Sequence, residues 1–508
     1  MRTPGRHLRR FAPALLALLL AATVLPVDGP TAGVPRASAA TEIRPRITGI
    51  KPLSREVFGY LPYWRLDSGT VDRLQYELVS TIAFFGLGIK GNGAIDTAWV
   101  GYKEYVGDDA AAVTNAAHDR GVRVVPTFQL FDTATGAPRM SAFLGSVAAQ
   151  QRFIAEALDL MAARKADGAG LDFEPVRALN ARSTAYLAFV ARFRAAMRAR
   201  FPGATLTNAT SAGASRTVIS GLVPIVDRQM LMAYNYRWRG STITGAIAPL
   251  DNTARTVKIH VARMLQWAPA GSILLGVPYY GYDWPVTSDV PHATVQSDKT
   301  TFGAVHAVSY AGARDFLAAH PEVVRAYDPL EGSGYFTYWD AAKATFRQVY
   351  FEEERSLADK YDYAIVSGLA GVGIWTLEND RGYPDLWNVL RSKFYAPIHA
   401  VTLSSSIAWV ARSRGSVYVK IRAAGRDVGT VPERGSFRWT IRNARGRLIR
   451  YGRWATQTVY PGRLYKHAVV SRLGYASRLP AGIYTLRVRF VTASRTYRAR
   501  PVDFRQPY

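Results

Sequence analysis

The feature that most constrains this chain is a rhythm. From Glu56 to Trp375, short runs of β-branched and aromatic residues alternate with stretches whose apolar residues recur at helical spacing, the pattern of βα units wound around a parallel sheet. Eight strands are predicted, over residues 57–60, 80–85, 122–128, 168–173, 205–208, 229–234, 272–277 and 371–375. A helix over 151–165 places Phe153, Ile154, Ala157, Leu158 and Met161 on one face. Another over 183–200 does so with Tyr186, Leu187, Val190, Phe193 and Met197, and Pro202-Gly203 ends it. Eight such units predict an α/β fold, a (β/α)₈ TIM barrel over 55–397, with any active site at the C-terminal ends of its strands. The gap between strands seven and eight is too long for one helix. It predicts an α+β insertion over about 288–350, with 335–339 and 346–351 as antiparallel strands.

After Lys393 the period becomes two. Val417, Val419 and Ile421 alternate with polar residues, as do Phe437, Trp439 and Ile441, and Tyr484, Leu486, Val488 and Phe490 behind the turn Pro480-Ala481-Gly482. This predicts a small all-β sandwich over 398–508. It also carries the charge: 22 Lys and Arg against Asp427, Glu433 and Asp503, a surplus of 19 in a chain whose net charge is +26. Such a surface suits an anionic partner, a cell-wall polymer, membrane headgroups or nucleic acid. Arginine-rich coding bias is the other reading; it explains Arg over Lys but not the scarcity of acids.

The chain has no cysteine, which excludes disulfides, thiolate metal sites and a Cys nucleophile. Its start combines Arg2, Arg6, Arg9 and Arg10 with an apolar stretch over 11–26 and the small residues Ala37-Ser38-Ala39. That predicts a secretory signal peptide over 1–39 and a linker over 40–54. About 16 apolar residues interrupted by Pro13 fall short of the roughly 20 a spanning helix needs. The expectation is a secreted or wall-associated protein with no stable membrane span after processing, and export argues against nucleic acid.

The chemistry is concentrated in Asp167-Gly168-Ala169-Gly170-Leu171-Asp172-Phe173-Glu174. Alternate residues of a strand share a face, so Asp172 and Glu174 point the same way. Two carboxyls in one site resist double ionisation, and one keeps the proton a general acid needs near neutrality. Alternating acids on a strand also occur on solvated edges; the rest of the chain decides between the two. Here the sequence resembles glycoside hydrolase family 18, the chitinase-like barrels, and within it the cell-wall and spore peptidoglycan hydrolases. The family's D-G-x-D-x-D-x-E is matched at Asp167, Gly168, Asp172 and Glu174. Its M-x-Y-D is similar to Met232-Ala233-Tyr234-Asn235, and its G-x-P-x-Y-G to Gly276-Val277-Pro278-Tyr279-Tyr280-Gly281. Its last-strand tryptophan corresponds to Trp375, and its opening strand looks like Phe58-Gly59-Tyr60.

The resemblance implies hydrolysis, with retained configuration, of β-linked N-acetylglucosamine polysaccharide, either chitin or peptidoglycan, and no cofactor. Glu174 would be acid and base, Asp172 would hold the acetamido N–H, Tyr234 the acetamido oxygen, and Trp375 would floor the sugar. Tyr60, Tyr236, Met232 and Asn235 are the further expected sugar-binding residues, with Tyr63, Trp64, Trp238, Tyr282 and Trp284 as weaker aromatic candidates. Two positions depart from the pattern. Gly170 stands where the family has Asp, and Asn235 supplies a hydrogen bond without a charge. Gly86-Leu87-Gly88-Ile89-Lys90-Gly91 resembles a dinucleotide fingerprint, but Asn92-Gly93 continues a turn where a helix should open. The eight histidines show no metal-binding spacing. The rival readings are a lectin on the same barrel and a surface adhesin acting through its basic domain.

Overall fold

The computed structural model describes residues 41–47, 52–132, 136–396, 399–429, 432–460 and 462–505. The predicted signal segment lies outside them. The chain divides into two compact units. One is built on Arg55–Lys393 with the segment up to Arg46, the other on Phe394–Tyr508 with Ile47–Ser54.

In the first unit, β1 (Glu56–Pro62), β2 (Thr81–Gly88), β3 (Arg123–Phe131), β4 (Gly168–Glu174), β5 (Thr205–Ser211), β6 (Arg228–Met232), β7 (Ile273–Pro278) and β8 (Gly371–Trp375) close a parallel barrel. Each strand lies beside its sequence neighbours, and β1 pairs with β8. The strands are buried on both faces, which is why they read as apolar runs without alternation. The helix Val147–Ala163 starts where the Ser146 side chain accepts from the Ala149 N–H, and it buries Phe153, Ala157, Leu158 and Met161. Ser183–Arg200 buries Tyr186, Phe189, Val190, Phe193 and Met197. Phe189 takes the place expected of Leu187, because Phe143, Phe153 and Phe173 already surround its ring.

Two features differ from expectation. The inserted lobe begins at Tyr280, not near 288: strand Tyr280–Val286 pairs with Thr345–Phe351 in a five-stranded antiparallel sheet. Only Tyr279 separates that strand from β7, so no loop marks the boundary. A Cβ at Gly281 would lie 1.9 Å from the Tyr350 carbonyl oxygen, so the pairing requires glycine there. The second difference is the segment 41–46, expected as part of a linker, which is fastened to the barrel. Ile43 is buried, the Asn115 side chain bonds both the Arg44 N–H and the Glu42 carbonyl, and Arg46 pairs with Asp167 at 2.7 Å. His118, fully buried, bridges the Arg44 carbonyl and Asp167. Asp167 thus serves as an anchor at the start of β4.

The second unit is an antiparallel sandwich. A three-stranded sheet (Val401–Ser413, Ser416–Asp427, Leu464–Tyr475) faces a larger one centred on Glu433–Asn443 and Ile483–Thr492. Val417, Val419, Ile421, Trp439, Ile441, Leu486 and Val488 fill the space between them. Asp427 and Glu433 are buried, whereas none of the described lysines and arginines of this unit is. Its surface is therefore more cationic than its composition suggests. Among the described residues, no helix is long and apolar enough to cross a membrane.

Candidate active site

Strand β4 builds the centre of the site. Gly168, Gly170, Asp172 and Glu174 alternate onto one face, and the register sets Gly170 beside Thr127 and Asp172 beside Gln129 of β3. A Cβ at Gly170 would come within 3.0 Å of Thr127 Oγ1. Thr127 thus fills space that an acid at 170 would need. Asp172 Oδ1, Thr127 Oγ1 and Gln129 Oε1 are all buried and meet no hydrogen-bond donor or acceptor among the described residues. Nothing there compensates a charge on Asp172, so the carboxyl favours its neutral form.

Above this layer opens a cavity of about 520 Å³. It is lined by all eight residues singled out from the sequence: Tyr60, Asp172, Glu174, Met232, Tyr234, Asn235, Tyr236 and Trp375. Burial lifts the Glu174 carboxyl to about 7. Burial first, and the neighbouring Glu174 charge second, push Asp172 well above the ordinary carboxylate range. With both carboxyls raised, the pair retains at least one proton at neutral pH. Tyr234 follows β6, and its ring lies against Gly276 of β7, where a Cβ would stand 2.9 Å from Cε1. Its phenol is also pushed upward, by burial first and then by Tyr280, Tyr60, Asp172 and Glu174. It stays a hydrogen-bond donor at any working pH.

Asn235 adopts φ 64°, a left-handed conformation that asparagine tolerates. Its carboxamide oxygen accepts from the Tyr282 phenol at 3.0 Å, so one end of the side chain is committed inward. Trp375, at the end of β8, is braced by edge-on contacts to Tyr60 and Phe85 at 5.4 and 4.8 Å, with Trp64 at 6.4 Å. Met232 packs against the same cluster. The Tyr236 ring stacks on His260 at 5.1 Å.

The aromatic candidates separate by burial. Tyr60 is 1% exposed, so it supports Trp375 from below instead of offering a face for stacking. Tyr282 and Trp284 are fully buried in the lobe. Tyr63 is not part of the cavity wall, whereas Trp64, 38% exposed, and Trp238 are. Sequence reasoning missed Phe85 and Phe131, which the strand-end rule for barrels could have found. It also missed Arg255, His260 and Arg263, which come from and around the helix Val257–Leu265 after β6 and carry no motif. One cluster among the described residues has metal-ligand chemistry, His292, Asp328 and Glu331. It lies in the lobe, away from the cavity wall, and Glu331 already accepts from Arg237 and the Ala246 N–H.

Comparison with known proteins agrees with this geometry. Residues 132–380 match the model of glycosyl hydrolases family 18. The chain is 26% identical over 393 residues to a protein named sporulation-specific glycosylase in Bacillus subtilis, covering 72% of this chain and 86% of that protein. It is 25% identical to a cortical fragment-lytic enzyme of Bacillus anthracis, over 34% of this chain and 35% of that one. The fold matches a family 18 chitinase of Cycas revoluta solved with (GlcNAc)3, with a TM-score of 0.57 at 18% identity, over 67% of this chain and 99% of that one. A closed parallel barrel with a carboxyl pair at the end of its fourth strand, in a sequence whose residues 132–380 fit the model of glycosyl hydrolases family 18, makes this a chitinase-like glycoside hydrolase.

Proposed function

We propose that this hydrolase cleaves β-linked N-acetylglucosamine polysaccharide with retained configuration, using the substrate's own acetamido group as nucleophile. The observation that carries the reading is the Asp172–Glu174 pair, which faces the same cavity as the Tyr234 phenol and holds a proton there. Glu174 gives its proton to the glycosidic oxygen, and the departing sugar leaves as an alcohol. The acetamido oxygen then bonds to C1, giving an oxazolinium ion. Asp172 accepts the acetamido N–H and Tyr234 donates to the acetamido oxygen, which fixes it at attacking distance. In the second half Glu174, now ionised, takes a proton from water as the water oxygen bonds to C1. The ring reopens, the anomer is retained and the acid is restored. Trp375 floors the sugar through its C–H face.

The relatives support both polymers: a chitinase solved with (GlcNAc)3 and an enzyme named for cortical fragment lysis. The chain is exported, and its cationic sandwich holds it on an anionic wall polymer. The reading is tested by incubating the purified protein with chitin oligosaccharides and with peptidoglycan glycan strands. The first-formed product should be the β anomer. Glu174→Gln should lower kcat by about 10²- to 10⁴-fold, the range for general acid catalysis. Wild type and variant equally inert on both polymers, or an inverted product, would reject it.

A further inference from the structure

The cavity has two unlike walls. One is aromatic, made by Trp64, Phe85, Phe131 and Trp375 near the ends of β1, β2, β3 and β8. The other rises from the end of β5 and the helix Val257–Leu265, and it presents Ser211, Arg255, His260 and Arg263. Arg263 donates to the Ala212 and Ala214 carbonyls at 3.2 and 2.8 Å and lies over the Trp267 ring. Arg255 is exposed and near enough to the Tyr236 phenol to oppose the upward push of burial on it. Among the described residues neither guanidinium meets a carboxylate. Elsewhere on the barrel Arg73, Arg194, Arg198, Arg228 and Arg314 do, whereas Arg139, Arg182 and Arg192 also pair with no carboxylate among the described residues; Arg255 and Arg263 differ in lining the cleft. Among the described residues, the acids on the cavity wall are Asp172 and Glu174. Two unneutralised cations thus border a cleft on a barrel whose own charges nearly balance.

A neutral N-acetylglucosamine polymer has no use for that wall. From it we infer that the cleft selects a glycan in which the sugar next to N-acetylglucosamine carries a carboxylate, and that Arg255, backed by Arg263, reads it. This rests on the glycosidase reading above. A guanidinium meets a carboxylate through two parallel N–H···O bonds, which fixes orientation as well as attraction. A cleft walled by apolar side chains focuses the field of those charges on whatever enters. N-acetylmuramic acid offers such a group in its lactyl ether, and a stem peptide attached to it offers others of the same chemistry.

The experiment compares kcat/KM of the full chain on four substrates: a chitin oligosaccharide, peptide-free strands alternating N-acetylglucosamine with N-acetylmuramic acid, the same strands with their carboxylates amidated, and strands bearing stem peptides. Wild type should prefer charged strands to their amidated twins by about tenfold, as expected for one charge-assisted hydrogen bond in a partly wet site. The preference should shrink as salt is raised. Arg255→Glu should abolish it through KM. Preference already present on peptide-free strands assigns the carboxylate to the lactyl group; preference confined to stem-bearing strands assigns it to the peptide. Equal kcat/KM on charged and amidated strands, or a ratio that Arg255→Glu leaves intact, overturns the inference and spares the glycosidase. Failure of wild type to cleave any of the four would instead sink the glycosidase reading.

Discussion

Replacing Glu174 with glutamine should remove most of the activity and yet make the barrel more stable above neutrality. In the folded protein burial raises this carboxyl from 4.5 to about 7. A group raised in the native state binds its proton more tightly there than in the unfolded chain. Its stabilising contribution is complete below about 4.5 and is lost as pH climbs through about 7. At about 1.4 kcal/mol for each tenfold change in proton affinity, ionising it in place costs at most about 3.5 kcal/mol. Glu174 is partly exposed to the cavity, and solvent there reduces the cost to about 1 to 2 kcal/mol. Glutamine carries no charge at any pH. Variant and wild type should therefore melt together near pH 4.5, diverge between pH 5 and 7, and differ by about 2 to 4 °C at pH 8 in favour of the variant. Thermal unfolding followed by circular dichroism across that range measures the difference directly. Asp172→Asn should act in the same direction, but the double variant should gain less than the sum, because removing one charge relieves the other. A glutamine variant that loses ground as pH rises would refute the reasoning, since it would mean that the native site stabilises the ionised form.

Tyr234→Phe removes one donor from the cavity and leaves the ring on Gly276; kcat should fall about 10²- to 10³-fold while the melting temperature stays within about a degree, and parallel kinetics and melting curves separate the two effects. The sandwich should hold the chain on anionic wall material by charge, so a sedimentation assay should show retention falling steeply as salt rises, and binding that ignores salt would contradict the electrostatic account.

The barrel was legible because its strands are buried on both faces and its helices on one, so each leaves a periodic trace. Asp172 and Glu174 could be placed from strand alternation alone, since the pleat fixes which residues share a face. The start of the lobe was not legible, because strand Tyr280–Val286 follows β7 after one residue and its register is set by Thr345–Phe351, far along the chain. The burial of Tyr60 was hidden for a related reason: a tyrosine near a strand end looks the same in sequence whether Phe58, Phe85 and Trp375 close over it or not. The cationic wall depends on where one short helix sits against the mouth of the barrel. Arg255 and Arg263, eight positions apart, meet the cleft through tertiary placement that no local pattern encodes.

The departures at Gly170 and Asn235 and the arginines on the cleft wall bear on the same quantity, the potential at the reacting sugar. An aspartate at 170 would stand beneath Asp172, but Thr127 occupies that space with an uncharged hydroxyl. An acid at 235 would add negative charge beside Tyr234, but a carboxamide bonded to Tyr282 is there instead. Each exchange removes negative charge, and Arg255 and Arg263 add positive charge along the rim. The combined field is less favourable to an oxazolinium cation and more favourable to an anionic substituent entering the cleft. A neutral chain of N-acetylglucosamine would bear the first effect with nothing in return. On a carboxylated chain the substrate's own anion, held at the guanidinium as proposed, would offset the cation that the proposed mechanism forms at C1. Restoring the acid with Asn235→Asp should therefore favour the neutral polymer over the charged one, in the opposite sense to the wild-type arginine wall.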